Sequence, residues 1–314
     1  MSLLSIVVPC FNEEENIETF YNAIINTLKS DNQLNSLQYE LIFIDDGSSD
    51  LTLTEIKNIS HIDSNIKFIS LSRNFGKEAA LYAGLKNSTG DYVLVMDVDL
   101  QDPPFLIKDM FNYIITENYD CVATRRVDRK GEPKIRSFFA RKFYKIINKL
   151  SDIEIIDGAR DFRLMKREMV NGILEIKEHN RFSKGIFAWV GFKTKWLEFE
   201  NIQRAKGETS WSFFKLFKYS LEGITAFSSY PLYLSVIVGM LFSIIAFILI
   251  IVIVIRAILF GDQAAGWPSM MCIILLLGGI QLFSIGIVGQ YLGKTYIETK
   301  NRPIYIEKES NIIK

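Results

Sequence analysis

Three carboxylates and one amide lie in a short turn that directly follows an apolar run, in the segment DYVLVMDVDLQDPP at residues 91–104. The carboxylates are Asp97, Asp99 and Asp102, and the amide is Gln101. Carboxylates this close repel one another unless a positive charge lies among them. Mg²⁺ and Mn²⁺ take oxygen ligands and keep open positions for phosphate oxygens. We therefore predict a metal–diphosphate site with Asp97, Asp99 and Gln101 as ligands.

A second acidic turn, Asp45-Asp46-Gly47-Ser48, also ends an apolar run. One interpretation is an Asx-turn that caps a helix beginning near Thr52. The other is a carboxylate that accepts hydrogen bonds from the base or ribose of a nucleotide. Both interpretations can hold, because the two adjacent aspartates offer one side chain for each role.

Short apolar runs alternate with amphipathic helical patterns around these turns. Such alternation predicts an α/β fold with a Rossmann-like, mainly parallel sheet, in which ligands bind at the carboxyl ends of the strands. The sequence contains neither the glycine motif of dinucleotide-binding proteins nor that of P-loop proteins, which disfavours both classes. The predicted strands are the runs 3–8, 39–44, 66–71, 92–96 and 121–124.

The composition of the chain changes sharply towards its carboxyl end. Between residues 232 and 292 only Arg256 and Asp262 are charged, whereas charged residues make up 23% of the whole chain. A bilayer core requires roughly 20 apolar residues in a helix. We therefore predict a two-helix transmembrane hairpin with helices at 231–256 and 267–292. The alternative, two buried helices of a soluble core, is disfavoured because such helices rarely run this long without a charge.

Basic residues flank the predicted hairpin, while the linker between its helices offers only Arg256. The positive-inside rule then places both chain ends in the cytoplasm of a multi-pass protein of the plasma membrane. Residues 1–210 are predicted to form a cytoplasmic catalytic domain. The segment 257–266 is predicted to be a short extracytoplasmic loop, and 293–314 a cytoplasmic tail.

Two basic amphipathic stretches are candidates for contact with a membrane surface. The stretch 134–150 either lies on anionic lipid or packs on the sheet with a solvated basic face. The stretch 211–230 directly precedes the first predicted span, and we predict an interfacial helix there. A formal net charge of zero disfavours nucleic acid as a partner.

Five motifs, IVVPCFNEEENI, IDDGSSD, DVDLQDPP, DFRLM and RAKGETSW, occur in this order along the chain. Together they resemble family 2 glycosyltransferases of the A-type fold, and most closely the polyprenyl-phosphate (bactoprenol) glycosyltransferases. Dolichol-phosphate mannose synthases are similar. The resemblance covers essentially the whole chain. The Q-x-x-R-W signature of processive polysaccharide synthases is absent from the sequence, which disfavours a polymerase.

The resemblance implies a role for individual residues. It implies Mg²⁺ or Mn²⁺ as the cofactor, held by Asp97, Asp99 and Gln101. It implies Asp161 as the base or as an orienting residue at the acceptor site, with an N-cap of a helix near residues 164–170 as the structural alternative. The residues implied to contact the nucleotide or its phosphates are Pro9, Asn12, Glu14, Asp46, Asp97, Arg125 and Lys206, and those implied in catalysis are Asp161, Asp99 and Arg204.

The function implied is inverting transfer of a single sugar from a UDP-sugar to undecaprenyl or another polyprenyl phosphate. The transfer takes place at the cytoplasmic face of the membrane and serves modification of a cell-surface glycan such as the cell wall or lipopolysaccharide. Glucose is the favoured sugar and N-acetylglucosamine the alternative. A separate flippase and a downstream transferase are expected partners, and a homo-oligomer stays open.

Two other functions compete with this one. The first is transfer to another lipid or to a glycan acceptor by a membrane-bound enzyme. The second is a non-catalytic membrane protein that binds nucleotide sugars. The intact set Asp97, Asp99, Asp161 and Arg204 disfavours the second, because a protein that only binds has no need of all four.

Overall fold

The computed structural model describes residues 2–127, 148, 154–200, 228, 230–260 and 266–312. The chain forms two compact units, one made of Met1–Ala226 with Pro303–Lys314 and the other of Phe227–Arg302. Most of the two amphipathic stretches 134–150 and 211–230 lies outside the described residues.

The helices and strands are numbered here in chain order among the described residues. The strands are β1 (Leu3–Cys10), β2 (Gln38–Asp45), β3 (Ile66–Leu71), β4 (Tyr92–Val95), β5 (Cys121–Arg126), β6 (Ala159–Lys166), β7 (Thr194–Phe199) and β8 (Glu307–Ser310). The helices are α1 (Ile17–Ser30), α2 (Asn32–Asn35), α3 (Thr52–Ile62), α4 (Lys77–Asn87), α5 (Leu106–Thr116), α6 (Arg167–Glu175), α7 (Ser183–Trp189), α8 (Tyr230–Phe260) and α9 (Trp267–Thr299).

The described strands form one sheet in the order β7-β5-β6-β4-β1-β2-β3-β8. Strand β1 pairs in parallel with β2 and β4, and β2–β3 and β5–β7 are also parallel pairs. Strand β6 runs antiparallel to β4 and β5, and β8 runs antiparallel to β3. The sheet confirms the predicted mainly parallel α/β fold, with antiparallel strands that the sequence analysis did not anticipate.

Helices cover both faces of the central strands, which is why these strands are apolar nearly throughout. On one face Leu4 and Ile6 of β1 belong to a buried cluster with Phe20 of α1. On the other face α4 lies directly on β1 and β2. A methyl group on Gly84 of α4 would lie 2.3 Å from Val7 Cγ1, so the close approach of α4 to the sheet requires glycine at this position.

The sheet is completed by β8, from beyond the second long helix, and the sequence analysis expected only a tail there. Strand β8 covers the edge of β3, and Asn311 just after it accepts a hydrogen bond from Phe68 N at 2.7 Å. Lys57 of α3 pairs with Glu309 of β8 at 2.7 Å. Tyr305 packs edge-on against Tyr82 of α4, with ring centroids 6.4 Å apart.

The second unit is built on the two long helices α8 and α9, of 31 and 33 residues. Segments Tyr230–Leu249 and Leu276–Thr299 are long and apolar enough to cross a membrane, and neither is buried inside the protein. Both helices extend past the predicted bounds. Tyr291 of α9 donates a hydrogen bond to the carbonyl of Ser228 at 2.7 Å, which joins the two ends of this helical pair.

Candidate active site

The acidic turn, residues 97–102, begins two residues after the end of β4. Leu100 adopts φ +53°, in the left-handed region that costs a residue with a side chain about 1–2 kcal/mol. Packing of Leu100 against the hydrophobic core offsets this cost. Asp99 Oδ1 accepts a hydrogen bond from Gln101 N at 3.2 Å, and Gln101 Oε1 accepts one from the Arg126 guanidinium at 2.9 Å. The protein's own contacts therefore shape this turn.

Lys77, the first residue of α4, lies between two carboxylates from distant parts of the chain. Its Nζ is 2.6 Å from Asp97 Oδ1 of the acidic turn and 2.7 Å from Asp161 Oδ2 of β6. The sequence analysis did not single out Lys77. Nothing in the local pattern indicates it, because only the fold brings α4, β4 and β6 to one edge of the sheet.

Arg160 supplies a second positive charge to the acidic turn. Its guanidinium donates two hydrogen bonds to Asp102, at 2.9 and 3.3 Å, and lies 3.7 Å from Asp97 Oδ2. The Asp102 side chain is fully buried, and this bidentate pairing offsets the cost of burying its charge. Lys77 and Arg160 thus provide the positive charge that the sequence analysis expected from a metal ion alone.

The same contacts determine the charge states at the site. Desolvation lowers the pKa of Lys77, but Asp161 and Asp97 outweigh this effect and the pKa lies above its ordinary value. Desolvation raises the pKa of Asp161, but Lys77, with Lys184 and Arg163, holds it well below the usual range. Asp161 is therefore an ionised carboxylate and a weak proton acceptor.

Asp161 lies inside β6, which continues to Lys166, and the next helix begins at Arg167. The alternative interpretation of Asp161 as an N-cap of a helix near residues 164–170 is therefore wrong. The DFRLM motif alternates polar and apolar residues as a half-buried strand does, but its residue types also occur in helices. Pairing of β6 with β4 and β5 makes the segment a strand.

The acidic pair at the end of β2 holds neighbouring loops in place. Asp45 accepts hydrogen bonds from Ser48 N at 3.0 Å and from Ser70 Oγ at 2.8 Å. The two oxygens of Asp46 accept hydrogen bonds from Phe75 N and Gly76 N, at 2.7 and 2.8 Å. Burial raises the pKa of Asp46, and the main-chain donors oppose this shift. Asp46 therefore anchors the loop that leads into Lys77.

The predicted nucleotide residues of the β1–α1 loop are bound to the β2–α3 loop. Asn12 adopts φ +55° and accepts a hydrogen bond from Ser49 N at 2.9 Å. Glu14 accepts one from Leu51 N at 2.8 Å. Pro9 lies within β1, in register with Ile44 of β2. The fold thus brings Pro9, Asn12, Glu14 and Asp46 to neighbouring strand ends and loops.

Of the basic residues predicted to contact phosphate, only Arg125 lies among the residues that the structure describes. Arg125 pairs with Glu198 of β7, with its Nε donating at 3.1 Å, whereas its neighbour Arg126 contacts Gln101 of the acidic turn. Successive side chains of a strand point to opposite faces, so only one of the two arginines reaches the turn. Arg204 and Lys206 lie outside the part of the chain that the structure describes.

A buried polar network lies beside Lys77 and Asp161. Glu78 accepts a hydrogen bond from Ser183 N at 3.0 Å, and burial raises the pKa of Glu78. Arg163 stacks on the ring of Phe187, 3.6 Å from its centroid, and donates a hydrogen bond to the carbonyl of Arg160 at 2.9 Å. These contacts hold the ends of α4 and β6 that carry Lys77 and Asp161.

The oxygens of the acidic turn suit a divalent cation by type. Asp97 and Asp99 offer carboxylates and Gln101 an amide oxygen, which is the donor set of Mg²⁺ or Mn²⁺. Among the described residues, no group of three or more His, Cys, Asp or Glu side chains is arranged to hold a metal ion. Lys77 occupies Oδ1 of Asp97, so a cation bound by this oxygen would displace the ammonium, and its further ligands would come from a substrate, from Gln101 or from water.

Comparison with known proteins shows which sequences this chain is similar to. Residues 5–174 match the model of the family described as Glycosyl transferase family 2. A protein named Prophage bactoprenol glucosyl transferase homolog from Escherichia coli (strain K12) is 42% identical over 97% of this chain and 98% of its own length. Bactoprenol glucosyl transferase of Shigella phage SfII is 41% identical over 98% of both chains.

Solved structures are more distant from this chain. Glucosyl-3-phosphoglycerate synthase from Mycobacterium tuberculosis, crystallised with Mn²⁺, UDP-glucose and phosphoglyceric acid, aligns with a TM-score of 0.46. It is 21% identical and covers 71% of this chain and 78% of its own. A likeness this distant does not indicate what the present chain binds.

Proposed function

The chain belongs to glycosyl transferase family 2 and is a glycosyltransferase, and on this premise we propose that it transfers one glucose from UDP-glucose to a polyprenyl phosphate. The observation that carries the proposal is the meeting of Asp97 and Asp161, within 2.6 and 2.7 Å of one lysine, at the edge where β4 ends and the antiparallel β6 begins. Relatives named bactoprenol glucosyl transferase, 40–42% identical over almost the whole chain, support both glucose and the polyprenyl acceptor.

The donor is proposed to bind along the edge formed by the β1–α1 loop, the end of β2 and the acidic turn. Pro9, Asn12, Glu14 and Asp46 line the nucleotide end of this edge in the proposal. Asp97 and Asp99, with Gln101, are the residues that would hold a divalent cation. When bound there, Mg²⁺ or Mn²⁺ stabilises the negative charge that develops on the departing diphosphate.

Asp161 is proposed to orient the acceptor or the sugar. A phosphate acceptor is already ionised at neutral pH, so attack on the anomeric carbon needs no strong general base. Lys77 keeps Asp161 ionised as well, and the lysine offers positive charge to the incoming phosphate. A single displacement on this geometry inverts the anomeric configuration. The phosphate contacts of Arg125, Arg204 and Lys206 remain predictions from the sequence.

The long helices are proposed to form a membrane hairpin that holds the active site at the cytoplasmic face. The segments before α8 and after α9 belong to one compact unit, in which β8 pairs with β3. This pairing supports a hairpin whose two ends lie on the same side of the membrane. The basic residues that flank the hairpin favour the cytoplasmic side.

The assay that tests this function uses the full chain, purified in detergent, with undecaprenyl phosphate and Mg²⁺ or Mn²⁺. It compares radiolabelled UDP-glucose, UDP-N-acetylglucosamine and GDP-mannose as donors. We expect label in the lipid extract with UDP-glucose, lost when undecaprenyl phosphate is omitted. Label that appears only with UDP-N-acetylglucosamine would show that this sugar, and not glucose, is transferred. Absence of lipid-linked label with every donor would contradict the proposed acceptor.

A second candidate, transfer to another lipid or glycan acceptor, is distinguished in the same assay. Diacylglycerol and purified cell-wall glycan replace undecaprenyl phosphate in parallel reactions. Label that appears only in those products would favour this second function.

A further inference from the structure

Lys77 contributes a positive charge that two carboxylates of the active site share. Its side chain is 42% exposed, and its Nζ contacts Asp97 and Asp161 without a third carboxylate partner among the ion pairs of the described residues. Arg160, in contrast, is held by two hydrogen bonds to the fully buried Asp102. A lysine ammonium on a flexible stem can exchange one partner for another, whereas a bidentate arginine pair is fixed in geometry.

The main chain at Lys77 is held by contacts on both sides of it. Gly76 precedes it with φ +96°, a conformation that favours glycine, and Asp46 accepts hydrogen bonds from Phe75 N and Gly76 N. Close packing at Gly84 holds the middle of α4 against the sheet. Release of Asp97 by Nζ therefore needs a movement of the Lys77 side chain alone and not of its helix.

The position of Nζ at Asp97 conflicts with binding of a divalent cation there. An ammonium within 2.6 Å of a carboxylate oxygen occupies a direction from which a cation would be bound, and it repels a second positive charge. The diphosphate of a nucleotide sugar carries negative charge that can bind both the ammonium and the cation. Release of Asp97 by Lys77 is therefore favoured when the cation and the diphosphate arrive together.

We propose that Lys77 is a built-in counter-cation of the acidic turn, which occupies Asp97 in the ion-free enzyme and releases it only to a cation bound with a nucleotide diphosphate. In the loaded enzyme Lys77 keeps its contact with Asp161. Metal binding thus becomes dependent on the nucleotide, and the carboxylates are never left without positive charge. This inference rests on the proposed function, because it assumes that the acidic turn binds a metal–diphosphate unit.

The test measures Mn²⁺ binding to the full chain in detergent, by electron paramagnetic resonance of free Mn²⁺, with and without UDP. We expect weak binding to the wild-type protein without UDP. Lys77→Met removes the ammonium and keeps an unbranched side chain, and we expect its Kd for Mn²⁺ without UDP to fall by about tenfold or more. Lys108→Met, which removes the surface ion pair between Lys108 of α5 and Asp31 at the start of α2, is the matched control and should bind Mn²⁺ as the wild type does.

Thermal unfolding in EDTA gives a second readout. Lys77→Met should melt below the wild type, because Asp97 and Asp161 then lack their shared cation, and Mn²⁺ should raise its melting temperature more than that of the wild type. If Lys77→Met does not fold, Lys77→Gln, which keeps a hydrogen-bond donor without the charge, replaces it in both measurements.

Two results would overturn the proposal. One is equally tight Mn²⁺ binding by the wild type with and without UDP, which needs no variant to be observed. The other is a folded Lys77→Met or Lys77→Gln protein that binds Mn²⁺ no more tightly than the wild type. Neither measurement contains a sugar donor or a lipid acceptor. A failure of transfer to polyprenyl phosphate therefore does not change the expected Mn²⁺ binding, and a failure of the Mn²⁺ test does not exclude transfer.

Discussion

Arg160 and Asp102, the last residue of the acidic turn, form a bidentate ion pair with hydrogen bonds of 2.9 and 3.3 Å, and the Asp102 side chain is fully buried. Arg160 also lies 3.7 Å from Asp97, so the pair lies beside the carboxylate that is proposed to bind the cation. Burial opposes the charge of Arg160, but Asp102 and Asp97 outweigh it and raise the pKa of the guanidinium.

Replacement of Asp102 by Ala should destabilise the protein by about 3 kcal/mol or more, because it leaves a mostly buried arginine without its carboxylate. The change is measured as the shift in thermal unfolding of the full chain in detergent. Asp31→Asn breaks the surface pair with Lys108 and should shift the melting temperature much less, because solvent screens such pairs. Equal shifts for the two variants would show that the Arg160–Asp102 pair contributes no more than a surface contact.

Replacement of Asp99 by Ala should reduce sugar transfer by about 100-fold or more, because a carboxylate that helps to hold the cation at the diphosphate is lost. Thermal unfolding shows whether the variant stays folded, because Asp99 is buried and accepts a hydrogen bond from Gln101 N at 3.2 Å. Transfer to undecaprenyl phosphate is measured beside Asp109→Ala, an exposed position on α5 that should keep wild-type activity. Substantial transfer by a folded Asp99→Ala protein would refute the metal assignment.

Glu40 of β2 makes stability depend on pH at the opposite end of the sheet from the active site. Its side chain is 3% exposed, pairs with Lys67 and accepts hydrogen bonds from Ser5 Oγ and from Thr89 N at 2.7 Å. Burial raises the pKa of Glu40, but Lys67, Ser5 and Thr89 outweigh it and the pKa lies below the ordinary value.

A carboxyl group with a lowered folded pKa stabilises the fold above its unfolded pKa, about 4.3 for glutamate, and this stability is lost as the pH falls through the folded value. Glu40→Gln should therefore lower the melting temperature at pH 7. The difference from the wild type should shrink below about pH 4.3, where the unfolded glutamate is protonated. If the difference in melting temperature between Glu40→Gln and the wild type stays constant from pH 7 to below about pH 4.3, the ionised form of Glu40 is not the source of the stability.

Removal of the chain after Arg302 should destabilise the catalytic unit, because it deletes β8 and the packing of Tyr305 on Tyr82. It also exposes the unpaired edge of β3, which can then pair with another copy. We expect a lower melting temperature and concentration-dependent association, measured by unfolding and by light scattering after gel filtration. A peptide of residues 303–312 should reverse both effects.

Lys308→Ala is the control for the truncation, because it changes an exposed side chain of β8 and leaves the strand's main chain in place. A truncated protein that melts at the same temperature as the wild type would show that β8 does not contribute to the stability of the catalytic unit.

The mainly parallel sheet follows from local sequence, because its central strands are covered on both faces and must be apolar nearly throughout. The run of β1, LLSIVVPC, and the run of β2, QYELIFID, indicate their own burial. The same holds for the acidic turn after β4, since carboxylates directly after a buried strand predict a site at the sheet edge. Strand β8, with the sequence EKES, carries no such signal, because an edge strand on the surface can be polar.

The sequence by itself therefore determined the α/β class, the two long apolar helices and the cluster of carboxylate and amide oxygens after β4. Only the tertiary structure decided which positive charges meet those oxygens, because Lys77, Arg126 and Arg160 come from separate elements and reach the turn through helix packing and strand register. It also decided that Asp46 holds a loop with both its oxygens and that β8 completes the sheet. Such contacts join residues far apart in the chain, and no local pattern of residues encodes the distance between them.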